Sequence, residues 1–168
     1  MIFQFRALSD ENDKFLRDYR LMYNASLLDF HNFMCADLDF DPTAMASFFM
    51  SDRQWEKLRE FTLADMGADE TEEAPRPMES VTLQEVIGDN GDRLIYTFDF
   101  FGDRSLYLEM IGTYQAEEGR EYPCTVLAEG PAPYQFDAAL TAGEDSIFDD
   151  AMSEFGGFEG DDSYDEDL

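Results

Sequence analysis

The stretch that decides the fold is RLIYTFDFFGDRSLYLEMIGTYQ, residues 93–115. Two runs rich in Ile, Tyr, Phe and Leu, residues 93–101 and 105–115, flank Gly102-Asp103. Aromatic and aliphatic residues at this density suit a pleated, half-buried surface, and the Gly-Asp pair suits a tight reversal between antiparallel strands. The spacing therefore predicts a β-hairpin, and the rest of the chain is read outward from it.

Towards the N-terminus, IFQFRA alternates Ile2, Phe3 and Phe5 with polar positions and predicts a first strand. Residues 15–24 place Tyr19, Leu21 and Tyr23 at alternating positions and predict a second strand, which can pair with the first across SDEND. Ser26, with Asp29 three residues on, has the form of a helix N-cap. Leu27, Phe30, Met34 and Leu38 then recur at three- and four-residue steps, so a helix is expected to about Leu38, stopped by Asp41-Pro42. Residues 45–50 predict a short strand and 52–57 a polar turn bearing Trp55. Residues 67–80 show no core-forming pattern and read as a surface loop. Thr82 caps a short helix over 83–87, DNGD at 89–92 is a turn, and a last strand is expected at 125–128. Strands outnumber helices and do not alternate with them. The fold class is therefore α+β, with a mixed, largely antiparallel sheet, one main helix and short helices packed on it.

The net charge of −28 restricts function. Residues 1–120 hold all 11 bases and 25 of the 39 acids, whereas residues 121–168 hold 14 acids and no base. Nucleic-acid affinity draws on Lys and Arg neutralising phosphates, so direct nucleic-acid binding is not expected, nor is attraction to anionic lipid. A basic protein is the expected partner. No stretch is apolar and long enough to span a bilayer, and the N-terminus lacks a basic segment leading into an apolar run, so a cytoplasmic location is expected. The two cysteines, Cys35 and Cys124, form no CxxC pair, and neither a disulfide, a metal nor a cofactor is expected. The body is expected over residues 1–140 and an acidic tail over 141–168.

Three segments resemble the plasmid pRiA4b ORF-3-like family, whose members also carry a transposon-resolvase-like label. SLLDFHNFMCADLDFD (26–41) is similar to the family's "tLxxLHxxIxxxxgwd" helix, with His31 at the helix histidine. SFFMSDRQWEK (47–57) stands where a short strand and turn follow. VTLQEVIGDNGDRLIYTFDFFGDRSLYLEM (81–110) is similar to "vtLxdvlxxGdxxxYxYDFGDxWxHxIxle", and YPCTVLAEGPAP (122–133) takes the place of a Cys- and Gly-bearing stretch. The resemblance covers about residues 1–135 and implies a fold more than an activity. The departures fall on chemistry. The family's "sHLHxF" is TAMASF here, with Ala44 and Ala46 at the histidine positions, and "GDxWxH" is GDRSLY, with Ser105 and Tyr107 replacing Trp and His.

The candidate sites follow. His31 is the only histidine, and Cys35 lies one helical turn on, within reach of it. A Cys–His nucleophile pair or the start of a metal site is weighed against a helix histidine making one local hydrogen bond, and the latter is preferred. DLDFD (37–41) opens like a calcium loop, but Pro42 and Phe48 stand at the sixth and twelfth positions, where Gly and Glu are needed. Asp99, Asp103 and Glu109 surround the hairpin, and Asp103 is expected to stabilise its turn. His31, Asp99 and Asp103 are the residues of a possible polar site. In the tail, Ser146 and Asp149 form a capping-box-like start, and Ile147, Phe148, Met152 and Phe155 share a helical face over 146–155 before Gly156-Gly157. A solubilising tail whose short helix docks on its own domain is weighed against an acidic-aromatic recognition segment for a basic partner, and the former is preferred; in the latter these four are the partner-binding residues. The expected function is a non-catalytic interaction or accessory module. The alternatives are a divergent mobile-element-associated enzyme or metal-dependent protein, and a nucleic-acid mimic.

Overall fold

The computed structural model describes residues 1–64 and 74–136. The predicted tail helix near 146–155, with Ile147, Phe148, Met152 and Phe155, lies outside the described residues.

The hairpin at residues 93–115 forms as the sequence requires. β6 (Arg93–Asp99) and β7 (Arg104–Tyr114) pair antiparallel, with Leu94 opposite Leu108 and Tyr96 opposite Leu106. Asp103 takes the left-handed conformation at φ 50°, and Gly102 does not. The side chain that stabilises the turn is that of Asp99, whose carboxylate accepts from the Gly102 amide at 3.1 Å. The turn role expected of the Asp103 side chain thus belongs to Asp99. Asp103 instead contributes its tolerance of positive φ, and its carboxylate reaches Lys57 at 3.4 Å.

β1 (Ile2–Ser9) and β2 (Leu16–Met22) form the expected first hairpin, and β1 also pairs antiparallel with β7. β3 (Ser47–Ser51) pairs with β6 and with β4 (Lys57–Thr62). β5 (Arg76–Pro77) adds parallel to β4, and β8 (Cys124–Glu129) adds antiparallel to β2. The result is one eight-stranded mixed sheet in the order β5-β4-β3-β6-β7-β1-β2-β8.

The helix α1 (Leu27–Leu38) packs one face of this sheet. Its N-cap is a full capping box: the Ser26 hydroxyl accepts from the Asp29 amide and the Asp29 carboxylate accepts from the Ser26 amide, both at 3.0 Å. Leu27, Phe30, Met34 and Leu38 are buried as their spacing dictates, and His31 and Cys35 are buried with them. The helix ends at Asp39, left-handed at φ 60°, two residues before the Asp-Pro stop. The short α2 (Leu83–Val86) starts with a second capping box, Thr82 with Glu85. Backbone bonds from Leu27 to Val81, from Leu83 to Ala25 and from Gln84 to Tyr23 place the two helix starts side by side.

The core lies between the helices and the sheet face built from Phe3, Phe5, Tyr19, Phe48, Phe61, Tyr96 and Leu106. Phe30 is its centre, 5.1 Å from the ring of Phe5 and 5.5 Å from that of Phe48. Rings at these separations add specific geometry to the burial they provide.

The structure departs from the sequence reading in two places. Residues 57–62 form a strand, although KLREFT has one buried apolar residue, Phe61, and otherwise charged or half-exposed positions. The strand exists because β3 offers it hydrogen bonds, not because of its own pattern. The surface loop expected over 67–80 is also wrong at its described end. Residues 76–80 form β5 and a single 3-10 turn, and Met78 is fully buried in the core. One apolar residue between prolines and acids has no period to detect.

Candidate functional site

His31 lies beneath the sheet with no exposed surface. Its Nε2 is 2.8 Å from the Pro42 carbonyl and its Nδ1 is 2.8 Å from the Tyr96 hydroxyl. A carbonyl can only accept, so Nε2 carries the proton; in the neutral ring Nδ1 then accepts from the Tyr96 O–H. The Cys35 thiol, 3.6 Å from the Tyr96 oxygen, completes a directed chain from S–H to phenol to imidazole to carbonyl. Beside a 3.8 Å contact with Cys35 one turn on, the local kind expected of a helix histidine, His31 thus makes two stronger bonds, to residues 65 and 11 positions away. The sequence shows a helix histidine but not the strand residue, 65 positions away, that meets it.

Electrostatics close this cluster to chemistry. Burial pushes the His31 pKa below 6.5, opposed by the Pro42 hydrogen bond. Burial raises the Cys35 thiol, and it raises the Tyr96 phenol far above its ordinary value. At neutral pH all three groups are uncharged. A Cys–His nucleophile needs a thiolate and access to substrate, and neither is present. Among the described residues no group of three or more His, Cys, Asp or Glu side chains could hold a metal ion.

The structure does not unite the possible polar site. No hydrogen bond or ion pair joins His31 to Asp99 or Asp103. Asp99 is committed to the Gly102 amide and to Arg104 at 3.4 Å. Arg104 also holds Glu11 at 2.9 Å and donates to the carbonyls of Tyr134 and Gln135. The Asp103 side chain is 85% exposed. Glu109 pairs with Arg93 at 3.2 Å across the hairpin.

The positions that resemble family histidines and tryptophan also separate. Ala46 is part of the hydrophobic core. Ser105 lies on the other side of β7, its hydroxyl 2.8 Å from that of Thr97. Tyr107 meets the edge of the Trp55 ring at 5.2 Å, and the Arg93 guanidinium lies 4.4 Å from the same ring. Trp55 holds φ at 64°, an unusual conformation for a bulky residue. The Asp52 carboxylate fixes this loop by accepting from the amides of Gln54 and Glu56 at 2.9 Å.

An accessible concavity among the described residues lies elsewhere. A cleft of about 600 Å³ opens between the end of β2, the start of α1 and the segment entering β8. Met22, Phe33, Tyr122 and Pro123 give it apolar walls, and Asn24, Asp29 and Asn32 give it acceptors. Phe33 is held edge-on to Tyr19 at 5.5 Å, and the Tyr122 hydroxyl accepts from the Glu117 amide at 3.1 Å. Two rings, a carboxylate and amide oxygens suit a cationic side chain. Each lining residue is ordinary in sequence. Only the packing of α1 beside β8 makes a cleft of them.

The model of the family described as plasmid pRiA4b ORF-3-like protein matches residues 2–136. The chain belongs to that family. The match ends where the described fold ends, so family membership accounts for the α+β domain and not for the acidic tail. A solved structure of the same fold is a protein of unknown function, MM3350, from Methanosarcina mazei Go1, at 17% identity and a TM-score of 0.62, covering 76% of this chain and 68% of that one. At that identity the likeness shows the fold alone. No curated protein matches the chain. No helix among the described residues is long and apolar enough to cross a membrane.

Proposed function

We propose that this pRiA4b ORF-3-like chain is a non-catalytic interaction module that binds a basic protein partner. The observation that carries the reading is the charge: −28 overall, with 14 acids and no base after residue 120. Such a field attracts cationic surfaces and repels nucleic acid and anionic membranes. The neutral, buried His31–Tyr96–Cys35 chain supports a structural role for the residues that most resemble catalytic ones. The acidic residues 144–168, with Ile147, Phe148, Met152 and Phe155, supply charge and apolar anchors to the same partner.

The test is a capture experiment with full-length chain and a chain ending at residue 143, at low and high salt. Full-length protein is expected to retain a basic partner, identified by mass spectrometry, that is released by salt and missed by the shorter chain. Equal capture by both chains would remove the tail from the reading. The alternative of a metal-dependent or mobile-element-associated enzyme requires bound metal in elemental analysis. The alternative of a nucleic-acid mimic requires the partner to be displaced by duplex DNA.

A further inference from the structure

The two edges of the sheet are defended unequally. β5 is two residues long, parallel, and contains Pro77, which has no N–H to offer. β8, at the other edge, is six residues long, and its segment Cys124–Ala128 holds no proline and no charge. Natural edge strands are usually blunted by brevity, Lys, Pro or a covering element, because a row of unpaired backbone groups invites another strand. β8 ends the sheet, and among the described strands it pairs with β2 alone. Its C-terminal end is fixed: Gly130, at φ 72°, passes so close to the Lys14 carbonyl that no larger residue fits.

The surroundings of this edge are acidic. Asp37 accepts from the Thr125 hydroxyl at 3.1 Å, Glu129 ends the strand, Glu121 precedes it, and Asp29 lines the cleft together with Tyr122 and Pro123, the residues that lead into the strand. Three of the neighbouring bases are already occupied. Arg17 binds Asp37 and the carbonyls of Glu129 and Gly130, while Arg20 and Arg120 both bind Glu117. Glu121 and Glu129 have no ion-pair partner among the described residues. A second copy of this chain would bring the same negative field to the edge, so charge selects a cationic occupant.

We propose that the outer edge of β8 receives an extended, lysine- or arginine-bearing segment of another protein, which adds to the sheet as a further strand and seats one cationic side chain in the cleft of Asp29, Phe33 and Tyr122. Backbone pairing supplies affinity without a sequence requirement, and the cleft with its flanking acids supplies the preference for a basic side chain. The proposal rests on the basic-partner reading and gives that partner a docking site on the folded body.

The experiment uses the full-length chain and a fluorescent, end-blocked peptide of about eight residues alternating lysine with valine or threonine, a length that matches one strand. Fluorescence anisotropy should show binding. Glutamate in place of lysine should abolish it, and N-methylation of alternate peptide amides should weaken it by about tenfold or more, because a methylated amide cannot join a ladder. Leu127→Lys, at an exposed edge position, should weaken it by about tenfold or more with an unchanged circular dichroism spectrum. Hydrogen exchange at the β8 amides should slow in the complex. Charge-dependent binding that survives N-methylation to within about twofold would overturn strand addition yet leave the basic-partner reading standing. Failure of the lysine peptide to bind would also overturn the docking site, and the truncation experiment above would then decide the wider reading separately.

Discussion

Replacing His31 with leucine keeps most of the volume of a fully buried side chain and removes both of its 2.8 Å hydrogen bonds. The Pro42 carbonyl loses its 2.8 Å donor, and the Tyr96 hydroxyl loses its 2.8 Å acceptor, keeping only the weaker contact to Cys35 at 3.6 Å. Leaving buried partners unpaired costs about 1–3 kcal/mol per group, and the half-buried carbonyl recovers part of this, so the expected loss at pH 7 is about 2–3 kcal/mol. The pH dependence is more diagnostic. The folded-state pKa of His31 lies below 6.5, its unfolded value. Its contribution to stability is therefore fully present above pH 6.5 and declines as the pH falls below it, because the unfolded ring takes up a proton that the folded ring refuses. For a ring that stays neutral in the fold, linkage sets an upper limit of about 1.2 kcal/mol lost between pH 7 and about pH 5.5. Protonation of surface carboxylates acts with the opposite sign, since acid relieves self-repulsion in a chain of net charge −28. The wild-type curve alone therefore mixes two effects, but the difference between wild type and His31→Leu cancels the shared one. Urea unfolding at both pH values should show that difference shrinking on acidification, by no more than that limit. A difference that stays constant or grows would refute the neutral, closed cluster.

Three further outcomes are expected. Ser26→Ala removes the hydroxyl that caps α1 and should lower stability by about 1 kcal/mol in the same unfolding assay, with Ser26→Asp close to neutral. Tyr19→Phe deletes the 2.8 Å bond to Asp37 and should cost about 1–1.5 kcal/mol, with the aromatic core signals in near-ultraviolet circular dichroism otherwise retained. Native protein titrated with a disulfide reagent should expose one fast thiol, the half-buried Cys124, while Cys35, buried and raised in pKa, reacts only on unfolding; two fast thiols would contradict the packing of α1.

Much of the fold was legible because its signals are local. The Ser26–Asp29 capping box and the Leu27, Phe30, Met34, Leu38 stripe are patterns within a few residues, and they specify α1 wherever it packs. The same holds for β1, β2, β6, β7 and β8, whose composition or alternation is visible in short windows. β4 was not legible, since KLREFT becomes a strand only when β3 pairs with it, and Met78 was not, since a lone apolar residue shows no period. The candidate site was less legible still. His31 and Cys35 were visible as neighbours on one helix, but Tyr96 and Pro42, which decide their protonation, arrive through the sheet and the chain beyond the helix. Asp99 and Asp103 are close in sequence, yet one is bound to Arg104 and the other faces solvent.

By itself, then, the sequence determined the α+β class, the main helix with its cap, the central hairpin and the sign of the protein's field, because each depends on composition or on contacts a few residues apart. Only the tertiary structure decided the strand order, the neutral state of His31, the cleft beside α1 and the exposure of β8. Those depend on which distant segments meet, and a histidine's proton or an edge strand's free amides are set by the neighbour that arrives, or does not, across the sheet.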